Sequence, residues 1–259
     1  MNFKKALISI GSRILRYIGI IAVLYVSMVF YLALSERRNA FPRAISHNEA
    51  REAIASDASV ITCNLEDGTV LNGWTMGNAG SPTLLYFPGA DEDAAQFLAE
   101  MGKTEELQLI AFNYRGSADN KGTPSQETFE SDATAISECA SEAAGGHVDN
   151  LAGRGTGAIL AAEQLNGNQT LVLIDPINSI ADALAAKYRI LYPKFIIRAD
   201  VEMPVDRLKN KQEQIKILHD RKNMRDGAHT LSSRLPESGT LYRTGETFKE
   251  IVLKSIQKN

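Results

Sequence analysis

The stretch Gly153-Arg154-Gly155-Thr156-Gly157 is where residue types and spacing point to chemistry. Three glycines on alternate positions, between the expected strand Val148 to Ala152 and the expected helix Ala158 to Leu165, make a tight strand-to-helix turn. Two chemistries use such a turn. In the nucleophile elbow, G-x-S-x-G, a strained turn lifts a serine to the top of a sheet. In the dinucleotide fingerprint, G-x-G-x-x-G/A, the glycines let a pyrophosphate approach a helix N-terminus. Gly153, Gly155 and Ala158 fit the second pattern, and Asp175, at the end of the next strand, stands where a ribose ligand is expected. Four expected strands precede this turn, whereas the fingerprint belongs to the first strand of its domain. The elbow is therefore the reading taken, with the nucleotide fold as an alternative and no cofactor expected.

The surrounding elements follow from local pattern. Val60 to Leu65 and Thr69 to Trp74 flank Asp67-Gly68, a hairpin signal. Leu84 to Phe87, Leu107 to Tyr114, Leu171 to Ile174, Ile215 to Leu218 and Thr240 to Arg243 are further strands. Helices are expected after Asp91-Glu92-Asp93, whose charges suit a helix N-terminus, and after Thr123-Pro124-Ser125-Gln126, read as N-cap, first-turn proline and capping glutamine. A closing helix runs from about Glu246 to Ile256, and the charged segment Arg198 to Gln214 is read as a solvated helix. Trp74 is assigned to packing. A two-stranded start followed by strand–helix alternation predicts an α/β fold: a mostly parallel sheet, an antiparallel hairpin at its start, and helices on both faces.

From Gly80 onward the chain resembles the BEM46-like branch of the α/β-hydrolase superfamily, a group of serine hydrolases. The resemblance rests on segments in the right order. Phe87-Pro88-Gly89-Ala90 stands where that branch has an HGNA-like loop, and Asn113-Tyr114-Arg115-Gly116 matches its NYRG turn. Gly122-Thr123-Pro124-Ser125 matches its G-x-P-S segment, Gly153 to Gly157 its GRSLG, and Asp175 to Asp182 its SPFTSIAD stretch. Such a protein would use serine as nucleophile, histidine as base and an acid to orient the histidine. The resemblance places the nucleophile at Gly155, the acid at Asn223 (through His219-Asp220-Arg221-Lys222-Asn223) and the base at Glu246 (through Gly245-Glu246). None of the three has the required chemistry, so the triad is read as degenerate and no catalytic residue is assigned. Asp175 is a possible residual acid, because some branches take the acid from the preceding strand. His47, His147, His219 and His229 all fall elsewhere. Phe87, Gly89, Ala90, Arg154 and Thr156 are the expected pocket residues. The carboxylates at 91 to 93 are assigned to the helix N-terminus alone. The function expected is a pseudo-hydrolase with a ligand-binding or scaffolding role; the alternative is an active ester or acyl hydrolase using non-standard residues.

Composition bounds these readings. The 259 residues, with a net charge of −3, hold one domain plus an anchor, and no basic block gives a footprint for nucleic acid. Residues 1–16 form a short basic segment, and the uncharged run 17–34 is long enough to cross a bilayer. It is read as an uncleaved transmembrane anchor contacting the lipid bilayer, with the soluble domain on the extracytoplasmic side. Ala33-Leu34-Ser35 leaves signal-peptide cleavage as the alternative. Residues 35–57 are a connector with one helix, begun by a Ser46/Glu49 capping box, and 58–259 the hydrolase-like domain. Cys63 and Cys139 form no metal pattern; they are expected as two separate thiols, able to pair only if the domain is exported. No metal site is expected, and the partner is an unidentified small molecule or protein.

Overall fold

Strands Ala58–Asn64 (β1) and Val70–Gly77 (β2) pair antiparallel through the Asp67-Gly68 turn, where Gly68 takes φ +78° and Thr69 N–H donates to the Asp67 carboxylate at 2.9 Å. Five short strands follow: Thr83–Phe87 (β3), Gln108–Phe112 (β4), Asn150–Arg154 (β5), Thr170–Ile174 (β6) and Ile215–His219 (β7). Gly239–Tyr242 (β8) completes the set. In this computed structural model, which describes residues 3–220, 225–243 and 245–257, the strands form one sheet in the order β1-β2-β4-β3-β5-β6-β7-β8. Every pairing from β4 to β8 is parallel.

Alternating residues sort the core into two layers, as a period of two demands. Leu84, Tyr86, Ala111, Ala152, Val172, Ile174 and Leu218 face helices Ala94–Met101 (α4) and Phe248–Ile256 (α10). Leu85, Phe87, Ile110, Leu151, Leu171, Leu173 and Ile217 face Gln126–Ala143 (α5) and Gly157–Glu163 (α6). These helices occupy opposite faces because strands buried on both sides need apolar cover on both.

Several local expectations are corrected. The helix after Pro124 starts later, with Ser125 as N-cap in a capping box with Thr128. The connector helix Asn48–Ile54 (α3) is capped by His47, whose Nδ1 accepts from Ala50 N–H at 3.2 Å, while Ser46 donates instead to Asp119. Residues 198–204 are extended rather than helical, burying Ala199, Val201 and Met203 on alternate positions, and only Val205–Leu208 (α8) is α-helical there. Cys63 on β1 and Cys139 on α5 are joined as a disulfide, with Cα atoms 5.7 Å apart, not separate thiols. The N-terminal helix Phe3–Leu34 (α1) is longer than the uncharged run, and its portion Ile8–Leu34 is long and apolar enough to cross a membrane. Trp74 is half-buried, with the Arg51 guanidinium 5.3 Å from its ring centre.

Candidate functional site

Strand β3 lies between β4 and β5, so the chain leaves β3 toward one side of the sheet and returns on the other. Ligands in open α/β sheets bind in the crevice at such a switch point, beyond the carboxyl ends of the strands. Here those ends carry Pro88-Gly89-Ala90 and Arg154-Gly155-Thr156.

The turn after β5 has a glycine at its centre. Gly155 has φ +56°, a conformation costly for residues with a side chain. A Cβ added at Gly155 would meet nothing within 4 Å, so a side chain there would enter open space. Its neighbours are constrained differently. A Cβ on Gly153 would lie 2.3 Å from the Gly157 carbonyl oxygen, and one on Gly157 2.2 Å from that of Phe87. Close backbone approach thus requires the outer glycines, and backbone conformation favours the central one. The turn follows the fifth strand in the chain, not the first as in the dinucleotide fingerprint.

The site's electrostatics centre on a buried ion pair that the sequence reading did not anticipate. Asp93 alone caps α4, through a capping box with Gln96. Glu92 turns inward instead: one oxygen accepts from Arg154 Nη1 at 2.6 Å, the other from Tyr86 Oη at 2.7 Å and Gly89 N–H at 2.8 Å. Asp91 lines the adjoining cavity, so the assignment of all three acids to the helix end is corrected. Arg154 also reaches Glu100 at 3.2 Å and Asp220 at 3.3 Å, and its guanidinium lies 4.8 Å from the Phe248 ring centre. Burial works against the Arg154 charge, but Tyr86, Glu92 and Glu100 outweigh it and its pKa is raised. Burial, followed by the nearby Glu92 charge, drives the Tyr86 phenol well above its ordinary pKa. In hydrolases with an elbow, an N–H from the loop after β3 helps hold the oxyanion. Here Gly89 N–H of that loop already serves a carboxylate.

The remaining sequence-selected residues are dispersed. Asp175 is fully buried at φ +41°, and its Oδ1 accepts from Asp220 N–H at 3.0 Å. Asp220 in turn holds Arg243 at 2.7 Å. Glu246 is half-buried and pairs with Lys254 at 3.4 Å. Asn223 lies outside the described residues. Phe87 is wholly buried in the layer facing α5 and α6, so its side chain belongs to the core and not to the expected pocket.

A cavity of about 740 Å³ opens above Gly155. Gly89, Ala90, Arg154 and Thr156 line it, whereas Asp175 and Glu246 are absent from its wall. Its apolar side comes from Ile180, Ala183 and Leu184 on helix Ile180–Tyr188 (α7) and from Ala50 and Ala53 on α3. Its polar side carries Glu49, Asp91, Glu92 and Glu100 against Arg154, Lys187 and His47. Sequence spacing did not place His47 and Glu49 at the cavity, because nothing in it brings the connector across to the sheet. Arg154 did carry a signal: an arginine ending a strand buried on both faces needs buried acids. Among the described residues, no group of three or more His, Cys, Asp or Glu could hold a metal ion.

No protein-family model matches the chain, and no curated protein matches it. Solved structures do. An α/β hydrolase from Vibrio vulnificus aligns with a TM-score of 0.60 at 16% identity, covering 82% of this chain and 94% of its own. An esterase of Pyrococcus furiosus gives 0.57 at 15% identity, over 83% and 91%. An α/β hydrolase from Sphaerobacter thermophilus gives 0.52 at 18%, over 76% and 100%. With the strand order, these likenesses define an α/β-hydrolase fold preceded by an apolar helix able to cross a membrane.

Proposed function

We propose that this chain is a membrane-anchored pseudo-hydrolase: α1 holds it in a bilayer, it binds a small ligand in the cavity above Gly155, and it performs no serine hydrolysis. The observation that carries this reading is the pairing of an empty elbow with the Glu92–Arg154 ion pair. Gly155 offers no attacking atom, and Glu92 places a carboxylate on a donor of the loop that would face a developing oxyanion. Asp175 engages the backbone of Asp220, and Glu246 pairs with Lys254. The cavity has the size and mixed lining of small-molecule sites.

The soluble domain lies on the extracytoplasmic side in this reading. Two observations support that placement: the basic residues Lys4, Lys5, Arg13 and Arg16 precede the uncharged part of α1, and Cys63 is bonded to Cys139, a linkage that persists in oxidising compartments.

The test has two arms. The full chain in detergent is treated with a fluorophosphonate probe and a panel of esters, beside the Asp175→Ala/Glu246→Ala double variant. Neither labelling nor turnover is expected; turnover abolished in the double variant would overturn the proposal. In the second arm a dansylated fatty acid is titrated against the chain and against Ala183→Trp, which places a bulky ring in the cavity wall. Enhanced emission lost in the variant supports a ligand site, and no enhancement in either chain removes that part of the reading.

A further inference from the structure

Three large apolar side chains stand in water-accessible positions on one short stretch: Ile190 at 79% exposure, Phe195 at 86% and Leu191 at 39%. They belong to the excursion that follows α7, built from two 3-10 turns, Arg189–Leu191 and Lys194–Ile196. Large apolar side chains exposed together on one short stretch point to a partner other than water. Its position identifies the occupant. Tyr25 of α1 donates its hydroxyl to the Ile190 carbonyl at 2.8 Å. Tyr25 precedes Leu34, the end of the apolar helix, by about 13 Å at 1.5 Å per residue. The excursion therefore runs back alongside the part of α1 that would lie in hydrocarbon.

The contact is fastened at its other end by Glu36, of helix Glu36–Ala40 (α2). This buried carboxylate accepts from the Tyr192 hydroxyl and, at 2.7 Å each, from the N–H groups of Arg198 and Ala199. Val29 and Leu32, which with Tyr25 and Glu36 follow helical spacing, turn toward the body of the protein and are partly or wholly covered. Part of the excursion's backbone is satisfied internally, which lowers the cost of taking it out of water. Tyr192, Ile196 and Ile197 N–H donate to carbonyls three residues back, and Tyr25 supplies the donor for Ile190. Arg189 and Arg198, both exposed, flank the apolar tips with the long cationic side chains that reach to lipid headgroups.

We infer that residues 189–197 insert into the same leaflet as the end of α1, making a second, non-helical contact between the soluble domain and the bilayer. The inference rests on the membrane reading of α1. Continuity with the apolar helix favours lipid over a second copy of the chain as the occupant. Because α7 leads directly into the excursion and supplies Ile180, Ala183, Leu184 and Lys187 to the cavity, insertion holds that wall beside the bilayer.

The test places single tryptophans in the full chain. Trp74, the one native tryptophan, is replaced by phenylalanine. Phe195→Trp or Phe30→Trp is then added, and the chains are reconstituted in phosphatidylcholine vesicles with brominated acyl chains. The inference expects Phe195→Trp emission to be blue-shifted and quenched about as strongly as that of Phe30→Trp on the anchor. Quenching at position 30 but not 195 overturns the insertion while leaving the anchor intact. A blue shift at 195 without quenching also overturns it, in favour of a contact with protein. Absence of quenching at both positions overturns the membrane reading and the inference together.

Discussion

Arg154 and Glu92 face each other at 2.6 Å across the crevice between β3 and β5, both almost fully removed from solvent. Arg154 comes from the elbow and Glu92 from the loop that opens α4, so the pair joins the two segments that a serine hydrolase would use for chemistry. Tyr86, Gly89, Glu100 and Asp220 complete its surroundings. A buried pair is costly to break from one side, because the abandoned charge has no water to return to.

Arg154→Ala, which leaves the buried Glu92 without a cation while Asp220 keeps Arg243, is therefore expected to lose about 3–5 kcal/mol of stability. Urea denaturation of the variant beside wild type measures it. A double replacement, Arg154→Met/Glu92→Met, should cost less than the single one, since no charge is left alone. A larger loss in the double variant would contradict this account.

The two glycine roles in the elbow make opposite predictions. Gly155→Ala meets open space and suffers only from its positive φ, a cost of about 1–2 kcal/mol. Gly157→Ala drives a methyl to within 2.2 Å of the Phe87 carbonyl oxygen, which must move with its strand. A thermal melt should show a modest drop for the first and a far larger one, or failure to fold, for the second. Gly155→Ser should behave like Gly155→Ala in the melt and gain no esterase activity.

The Cys63–Cys139 bridge closes a loop with a sequence separation of 76 residues. Constraining so long a segment of the unfolded chain is worth about 2–4 kcal/mol. Cys63→Ala/Cys139→Ala should show that loss in denaturation, and reductant should shift the wild type toward it but leave the variant unchanged. Alkylation of either thiol in the unreduced, unfolded wild type would refute the bridge.

Asp67 supplies a pH signature. The Arg115 guanidinium, at 2.5 Å, and the Thr69 N–H hold its pKa at about 2, below the ordinary 3.8. A depressed folded-state pKa contributes stability that is present above the unfolded value and lost as the pH falls through the folded one. The difference in melting temperature between wild type and Asp67→Asn should therefore be steady at neutral pH and shrink between about pH 4 and pH 2. A difference that grows in that window would reverse the sign assigned here.

What was legible in the sequence was periodic or local. The Asp67-Gly68 hairpin, the short apolar strands and the glycine turn at 153 to 157 were visible because each depends on a few adjacent residues. The helix starts at Ser125 and His47 were misplaced by neighbours that could also cap. Residues 198 to 204 were read by their charge, although Ala199, Val201 and Met203 carried the alternation of an extended segment. The disulfide and the Glu92–Arg154 pair were not legible, since each joins elements whose proximity is created by the sheet order. Phe87 was assigned to the pocket by its loop, whereas the parity of β3 buries it in the layer facing α5 and α6.

The connector helix α3 is less a tether than one wall of the body it adjoins. His47 N–H and Arg51 both grip Asp93, at 2.9 Å each, and Ala50 and Ile54 share the apolar layer of α4. Trimming the chain to begin at β1, the usual route to a soluble sample, would take Ala50 and Ile54 out of that layer and open the cavity on one side. Such a sample would test a vessel with one side gone, and its silence toward any compound would say nothing about the intact molecule.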